Sequence, residues 1–218
     1  SEDLLNAKVF VSVMGSESEQ RNTMRALQHA SGRIQELMMK GISLIGEKGL
    51  LIFLLAAILM CFSTTRKTGI CIFGAVCCGA LISNIILKDW VARLRPFESD
   101  AIFQNWWQFV GAPAEEDFSF PSGHVTAAMS GMMALIFSRG KKFLFPGVLF
   151  ILLMGISRIY LIVHYPSDVL AAMLVGLLSA GIAYVFTDII YHILVKYQKR
   201  RLCAFALKFD LRHFNNHY

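Results

Sequence analysis

Apolar residues fall into runs along this chain, and the polar ones gather between them. Five runs are long enough to consider as membrane spans. They lie at about 42–63 (apolar centre Gly49 to Phe62), 69–87, 123–138, 143–163 and 167–195. The second carries no charge, and nineteen helical residues cover about 28 Å, close to the hydrocarbon thickness. The third is short and is expected to begin slightly outside the hydrocarbon. The fourth has Pro146 in its first turn, where proline is tolerated. Residues 1–41 contain no such run. There Met24, Leu27, Ala30, Ile34, Leu37 and Met38, followed by Ile45, recur at helical spacing with Arg21, Arg25, Arg33 and Glu36 between them. That pattern predicts an amphipathic helix lying at the membrane interface. No Ser/Gly linker or repeat divides the chain. The expected fold is all-α: a polytopic transmembrane helical bundle of about five spans plus the N-terminal interfacial helix. Its parts are 1–41 (interfacial segment), 42–195 (bundle) and 196–218 (basic tail).

Composition agrees. Of 218 residues 56% are apolar and 17% charged, against about 25% charged in an average soluble domain. Mean hydropathy is +0.54. A disordered, collagen-like or disulfide-scaffold chain is excluded, and an integral membrane protein is expected. Cys61, Cys71, Cys77, Cys78 and Cys203 mostly lie in apolar runs and show no metal-ligand spacing, so they read as small apolar residues.

The net charge of +6 would suit a nucleic-acid binder, but placement explains it otherwise. Arg66 and Lys67, then Arg139, Lys141 and Lys142, then Lys196, Lys199, Arg200, Arg201, Lys208 and Arg212 fall on one side of alternating spans. They are 11 of the 21 basic residues, and the positive-inside rule makes that side cytoplasmic. The opposite loop, 97–122, holds Glu98, Asp100, Glu115, Glu116 and Asp117 and no Lys or Arg. The C-terminus is therefore expected in the cytoplasm and the N-terminus outside, with no nucleic-acid partner. Ser1 in place of Met points to processing or to an absent earlier segment.

Polar residues at the span ends carry the candidate chemistry. Lys88, Arg93 and Arg95 close the second span, Ser122, Gly123 and His124 open the third, Ser157, Arg158 and His164 end the fourth, and Asp168 opens the fifth. Four separate chain positions thus converge on the outer face, and ionisable groups facing a bundle interior are functional candidates. Arg93 alone reads as snorkelling to the interface. Lys88, Arg95 and Arg158 have no matching acid in their motifs and need an anion, for which phosphate fits best. His164 and His124 supply a nucleophile and a proton donor. Asp168, four residues beyond His164, can hold one imidazole nitrogen and leave the other to attack. Ser167 is the expected N-cap of the last helix. Pro121-Ser122-Gly123-His124 reads as a turn into a helix N-terminus, whose N–H groups suit phosphate oxygens.

The stretch Lys88–Pro96 fits K-x6-R-P, Pro121-Ser122-Gly123-His124 fits P-S-G-H, and Ser157 through Asp168 fits S-R-x5-H-x3-D. In this order and register, the chain resembles the type 2 phosphatidic acid phosphatase superfamily, the membrane-integral lipid phosphatases, over about residues 40–195. The resemblance implies that His164 forms a phosphohistidine, that Asp168 orients it, and that His124 protonates the leaving oxygen and then activates water. It further implies that Lys88, Arg95 and Arg158 clamp the phosphoryl oxygens with Ser122 and Gly123 assisting, and that neither metal nor other cofactor is needed. Many members have six spans. An interfacial N-terminal helix in place of the first span, or a truncated chain, accounts for five.

The expected function is hydrolysis of a lipid phosphate or diphosphate at the outer face of the plasma membrane, with a polyisoprenyl (undecaprenyl) diphosphate as leading substrate. Phosphatidylglycerophosphate, phosphatidic acid and lipid A phosphates are the alternatives. A non-enzymatic phosphate-lipid transporter or binder is the remote one, disfavoured because the charges sit at one face and both histidines are intact. The partners expected are the lipid phosphate substrate and membrane lipids, and the sequence carries no signal for oligomeric state. Phe103, Trp106, Trp107 and Phe109 read as interface anchors, Glu115, Glu116 and Asp117 as a solvated loop, and Asp188 as reaching water or Lys196.

Overall fold

The structure is a computed structural model that describes residues 17–45, 49–201 and Asp210. The expectations for residues 1–16, Cys203, Lys208 and Arg212, and for the side chains of Met24, Leu27 and Ile45, lie outside what it describes. Among the described residues all regular structure is helical. The chain separates into two compact units, 1–38 and 39–218. Helix α1 (Glu17–Ile45) supplies the first up to Met38, and its last residues belong to the second. On it Ile34, Leu37 and Met38, three of the predicted apolar positions, are exposed.

The second unit is built from α2 (Leu50–Met60), α3 (Arg66–Ala80), a π-helical stretch Leu81–Leu87, and the short α4 (Lys88–Val91) and α5 (Pro96–Ser99). After these come α6 (Ala101–Phe109), α7 (Gly123–Arg139), α8 (Leu144–Tyr160) and α9 (Pro166–Lys196). Among the described residues three stretches are long and apolar enough to cross a membrane: Arg66–Ser99, Lys141–Tyr160 and Pro166–Lys196. Pro146 lies in the first turn of α8, as expected. The predicted first span is not one continuous helix. Gly49 takes the left-handed conformation (φ 70°), and the helix that follows has 11 residues, about 16 Å. Helix α7, at 17 residues, is about 26 Å long.

Helices α3, α7 and α9 pack on one another, with α2 against α3 and α8 against α7. Side-chain size sorts the faces. Along α9 the residues Leu170, Leu174, Leu178, Ile182, Phe186 and Ile190 repeat every fourth position and are exposed. Its buried face is Ala172, Gly176, Ser179, Ala180, Ala183 and Thr187. Large side chains outward and small ones inward is the arrangement expected where lipid solvates the outside and close backbone approach holds the helices together. Ser179 returns its hydroxyl to Val175 O at 2.8 Å, so it packs as a small residue with no polar group left open.

The two ends of this unit differ. At one end Lys67 donates to Asp188 at 2.6 Å, and Arg139 donates to Thr68 Oγ1 and to the Thr64 carbonyl. Asp188, 41% exposed, reaches water as one expectation had it, and its ion pair is with Lys67 of α3 instead of Lys196. At the other end lie the C-terminal ends of α3–α4 and α8 and the N-terminal ends of α7 and α9.

Gly69 shows how tight the helix contacts are. A Cβ there would stand 2.6 Å from Ala56 O and 2.7 Å from Met60 N, both backbone atoms of α2. Backbone cannot swing aside, so Gly69→Ala should destabilise the detergent-solubilised protein by about 1–3 kcal/mol in reversible unfolding. Gly181→Ala, where nothing lies within 4 Å, should be neutral or slightly stabilising.

Candidate active site

Local structure explains how the motif residues reach one place. The π-helical stretch Leu81–Leu87 widens the end of α3, and from it Asn84 and then the buried Lys88 border one cavity. Ala92, in the left-handed region (φ 47°), ends α4 and redirects the chain to Arg95. Between α8 and α9, Ile162 is also left-handed (φ 58°). A β-branched residue is strained there, and such strain persists only where surrounding contacts over-determine it. Val163, next along, supplies one of those contacts through its carbonyl, and His164 follows.

Lys88, Arg95 and Arg158 are all buried, at 7, 1 and 2% exposure. They lie together, and the loop 115–117 supplies the counter-charge. Lys88 pairs with Asp117, and Arg158 with Glu115. Arg95 donates through Nε to Asp117 O (2.7 Å), through Nη1 to Val163 O (3.0 Å), and through Nη2 to Glu115 (3.0 Å) and Asp117 (2.6 Å). The expectation of a solvated acidic loop is thereby corrected for Glu115, 17% exposed, while Asp117 stays exposed and also pairs with the cations, because buried cations require paired charge. Burial alone would raise the Glu115 carboxyl, but the charges of Arg158 and Arg95 outweigh it and hold the group below the usual carboxylate range. Asp117 goes the same way: burial opposes, and Lys88 and then Arg95 prevail.

His164 is buried, and burial pushes its imidazole down to about 4, with Asp168 opposing and Arg95 and Arg158 adding to the effect. Asp168 does not reach it directly. Its Oδ2 stands 3.9 Å from His164 Nδ1, beyond hydrogen-bond range. The hydroxyl of Ser119 lies between, 2.5 Å from Asp168 Oδ2 and 3.5 Å from Nδ1. The other carboxylate oxygen accepts from Arg93 Nη1 at 2.8 Å. Arg93 also bonds Ser167 Oγ and stacks 3.8 Å over the Tyr165 ring. So Arg93 is drawn in by a buried carboxylate, and the expected snorkelling is corrected. Ser167 is not the N-cap of α9. Tyr165 occupies that position, and its N–H donates to Asp168 at 3.0 Å.

His124 and Gly123 stand in the first turn of α7, after Ser122. Ser122 is fully buried, and its Oγ has no hydrogen-bond partner among the described residues. One cavity of about 320 Å³ joins much of this set. Lys88, Arg95, Gly123, His124, His164, Glu115 and Asp117 line its polar side, and Phe53, Val76, Ala80 and Ala127 its apolar side. Arg158, Ser122 and Asp168 stand behind that surface. Ser119, Arg93, Asn84, Glu115 and Asp117 are the site residues missed by reading motifs. For Ser119 and Arg93 the signal was proximity to P-S-G-H and to R-P, but Asn84 had none inside its apolar run.

Comparisons with known proteins place the chain in a family. The profile of the PAP2 superfamily matches residues 68–191. An undecaprenyl-diphosphatase of Sulfolobus acidocaldarius is 33% identical over 120 residues, 55% of this chain and 55% of that protein. The undecaprenyl-diphosphatase BcrC of Bacillus subtilis is 30% identical over 137 residues, 63% of this chain and 67% of that protein. The chain thus spans roughly half to two thirds of the length of these curated relatives. Among solved structures, a transmembrane PAP2-type phosphatidylglycerolphosphate phosphatase from Bacillus subtilis superposes with a TM-score of 0.57. It is 24% identical, and the match covers 80% of this chain and 89% of that one. With the family profile covering more than half its length, this chain belongs to the PAP2 superfamily.

Proposed function

We propose that the protein is an integral membrane lipid phosphatase that works through a phosphohistidine, with a polyisoprenyl diphosphate as the leading substrate. The observation that carries this reading is the two-sided cavity. It sets His164, His124 and buried cations against Phe53, Val76, Ala80 and Ala127. That division suits an amphiphile whose phosphate and chain enter together. The two relatives named undecaprenyl-diphosphatase support the substrate class.

In this reading His164 attacks phosphorus while His124 gives its proton to the leaving oxygen. His124 then takes a proton from water, which attacks the phosphohistidine and releases phosphate. Lys88, Arg95 and Arg158 offset the charge on the phosphoryl oxygens, with Ser122 and the Gly123 N–H beside them. Their role is positioning and electrostatic stabilisation, and it takes the place of a metal. Phosphate exchanges for the carboxylates that hold the cations together. Asp117 is 58% exposed, so its exchange requires little desolvation. We further propose five spans, α1 at the interface, the C-terminus in the cytoplasm and this end of the bundle outside. The three long stretches and the Lys67, Arg139, Lys141 and Lys142 end support that orientation.

Purified protein in liposomes should release phosphate from undecaprenyl diphosphate in EDTA, faster than from phosphatidylglycerophosphate or phosphatidic acid. His164→Ala should lower kcat/KM by at least about a thousandfold and His124→Ala by about a hundredfold or more. Undiminished hydrolysis in His164→Ala would refute the mechanism, and a reversed substrate order would reassign the substrate.

The pH response follows from burial. His164 is a neutral nucleophile at neutral pH and takes a proton only as pH falls through about 4. In ¹⁵N-histidine spectra, the signal missing from His164→Ala should titrate with a midpoint near 4. A midpoint at or above the ordinary value of about 6.5 would show that the imidazole is not desolvated as described.

A further inference from the structure

We propose that Ser119 is a positioning residue for the nucleophile, accepting a hydrogen bond from His164 Nδ1–H and donating its own proton to Asp168, so that the carboxylate acts on the imidazole through the serine. The proposal rests on the phosphohistidine reading above and adds a residue outside the three motifs.

The hydrogen-bond count carries it. Both Asp168 oxygens are already engaged: Oδ1 accepts from Arg93, and Oδ2 from Ser119 (2.5 Å) and from Tyr165 N–H (3.0 Å). With three donors on it, the carboxylate stands 3.9 Å from Nδ1, and the Ser119 hydroxyl occupies the shorter path between them. A serine hydroxyl has one proton and two lone pairs. Two acceptors compete for that proton, Asp168 at 2.5 Å and Val163 O at 3.5 Å. The shorter and charged one takes it. The oxygen then presents only lone pairs to His164, 3.5 Å away. In this arrangement Nδ1–H is the group placed to donate to that oxygen, which leaves the Nε2 lone pair for phosphorus. The long Nδ1 contact is of the kind that tightens when the ring gains positive charge during attack. Ser119 is fully buried, and its own N–H is tied to Arg93 O at 2.8 Å, so the hydroxyl is placed by the same chain segment that supplies Arg93.

The test compares Ser119→Ala and Ser119→Cys with the wild type and His164→Ala, all in liposomes with the same lipid diphosphate. Cysteine keeps the volume but is a weak hydrogen-bond partner. Both Ser119 variants should lose about 10- to 100-fold in kcat with KM within about twofold. The cysteine variant should keep the wild-type thermal midpoint. In ¹⁵N spectra at neutral pH, the wild-type His164 should show a protonated Nδ1, and both variants a mixture of tautomers. Wild-type kcat in the cysteine variant would mean that packing alone matters and would overturn the proposal. So would a change confined to KM, or an unaltered tautomer in both variants. Inactive His164→Ala with fully active Ser119→Ala overturns this inference and spares the phosphohistidine, whereas fully active His164→Ala overturns both.

Discussion

Three buried cations at one end of an apolar bundle cannot stand without counter-charge, and Arg95 is where that requirement is met. Its guanidinium bonds the acidic loop through Asp117 O and through the Glu115 and Asp117 carboxylates, and the α8–α9 turn through Val163 O. One planar group with five donors thus joins three chain segments that are remote in sequence. A lysine at this position has no such fork. Lys88 and Arg158 share the same two acids, so the cations are gathered by common partners and not merely by proximity.

The placement of His164 depends on that network. Val163, which Arg95 grips, follows the strained Ile162 and precedes His164. Holding this turn in a left-handed conformation sets the direction from which the imidazole enters the cavity. The same burial that demands paired cations keeps His164 uncharged. Behind it, Arg93 offsets the buried charge of Asp168, whose side chain is fully enclosed. Charge is therefore balanced twice, once in front of the imidazole by Glu115 and Asp117 and once behind it by Arg93.

Helix packing supplies the rigid frame. Small residues on α3, α7 and α9 bring backbones close, as Gly69 and Gly176 show. A Cβ at Gly176 would meet Met129 at 2.6 Å and the Thr126 carbonyl at 2.9 Å. The ends of these helices are thereby fixed relative to one another, which a constellation drawn from several chain positions requires.

By itself the sequence determined the helical class, the helices that became α7, α8 and α9, and the motif residues that gather at one end. It could do so because hydropathy runs and motif spacing are local, and because expensive charges at span ends have few structural uses. It did not determine the break at Gly49, since a long apolar run reads alike whether one helix or two pieces fill it. The partners of the cations were also decided only in three dimensions. Glu115 and Asp117 look like any polar loop until Arg95 and Arg158 are brought against them, and Arg93 looks like an interface residue until Asp168 lies within reach. Ser119 has the same status. A serine carries no signal of its own, and its position between a histidine and an aspartate some 45 and 49 residues away exists only once α7 and α9 pack together.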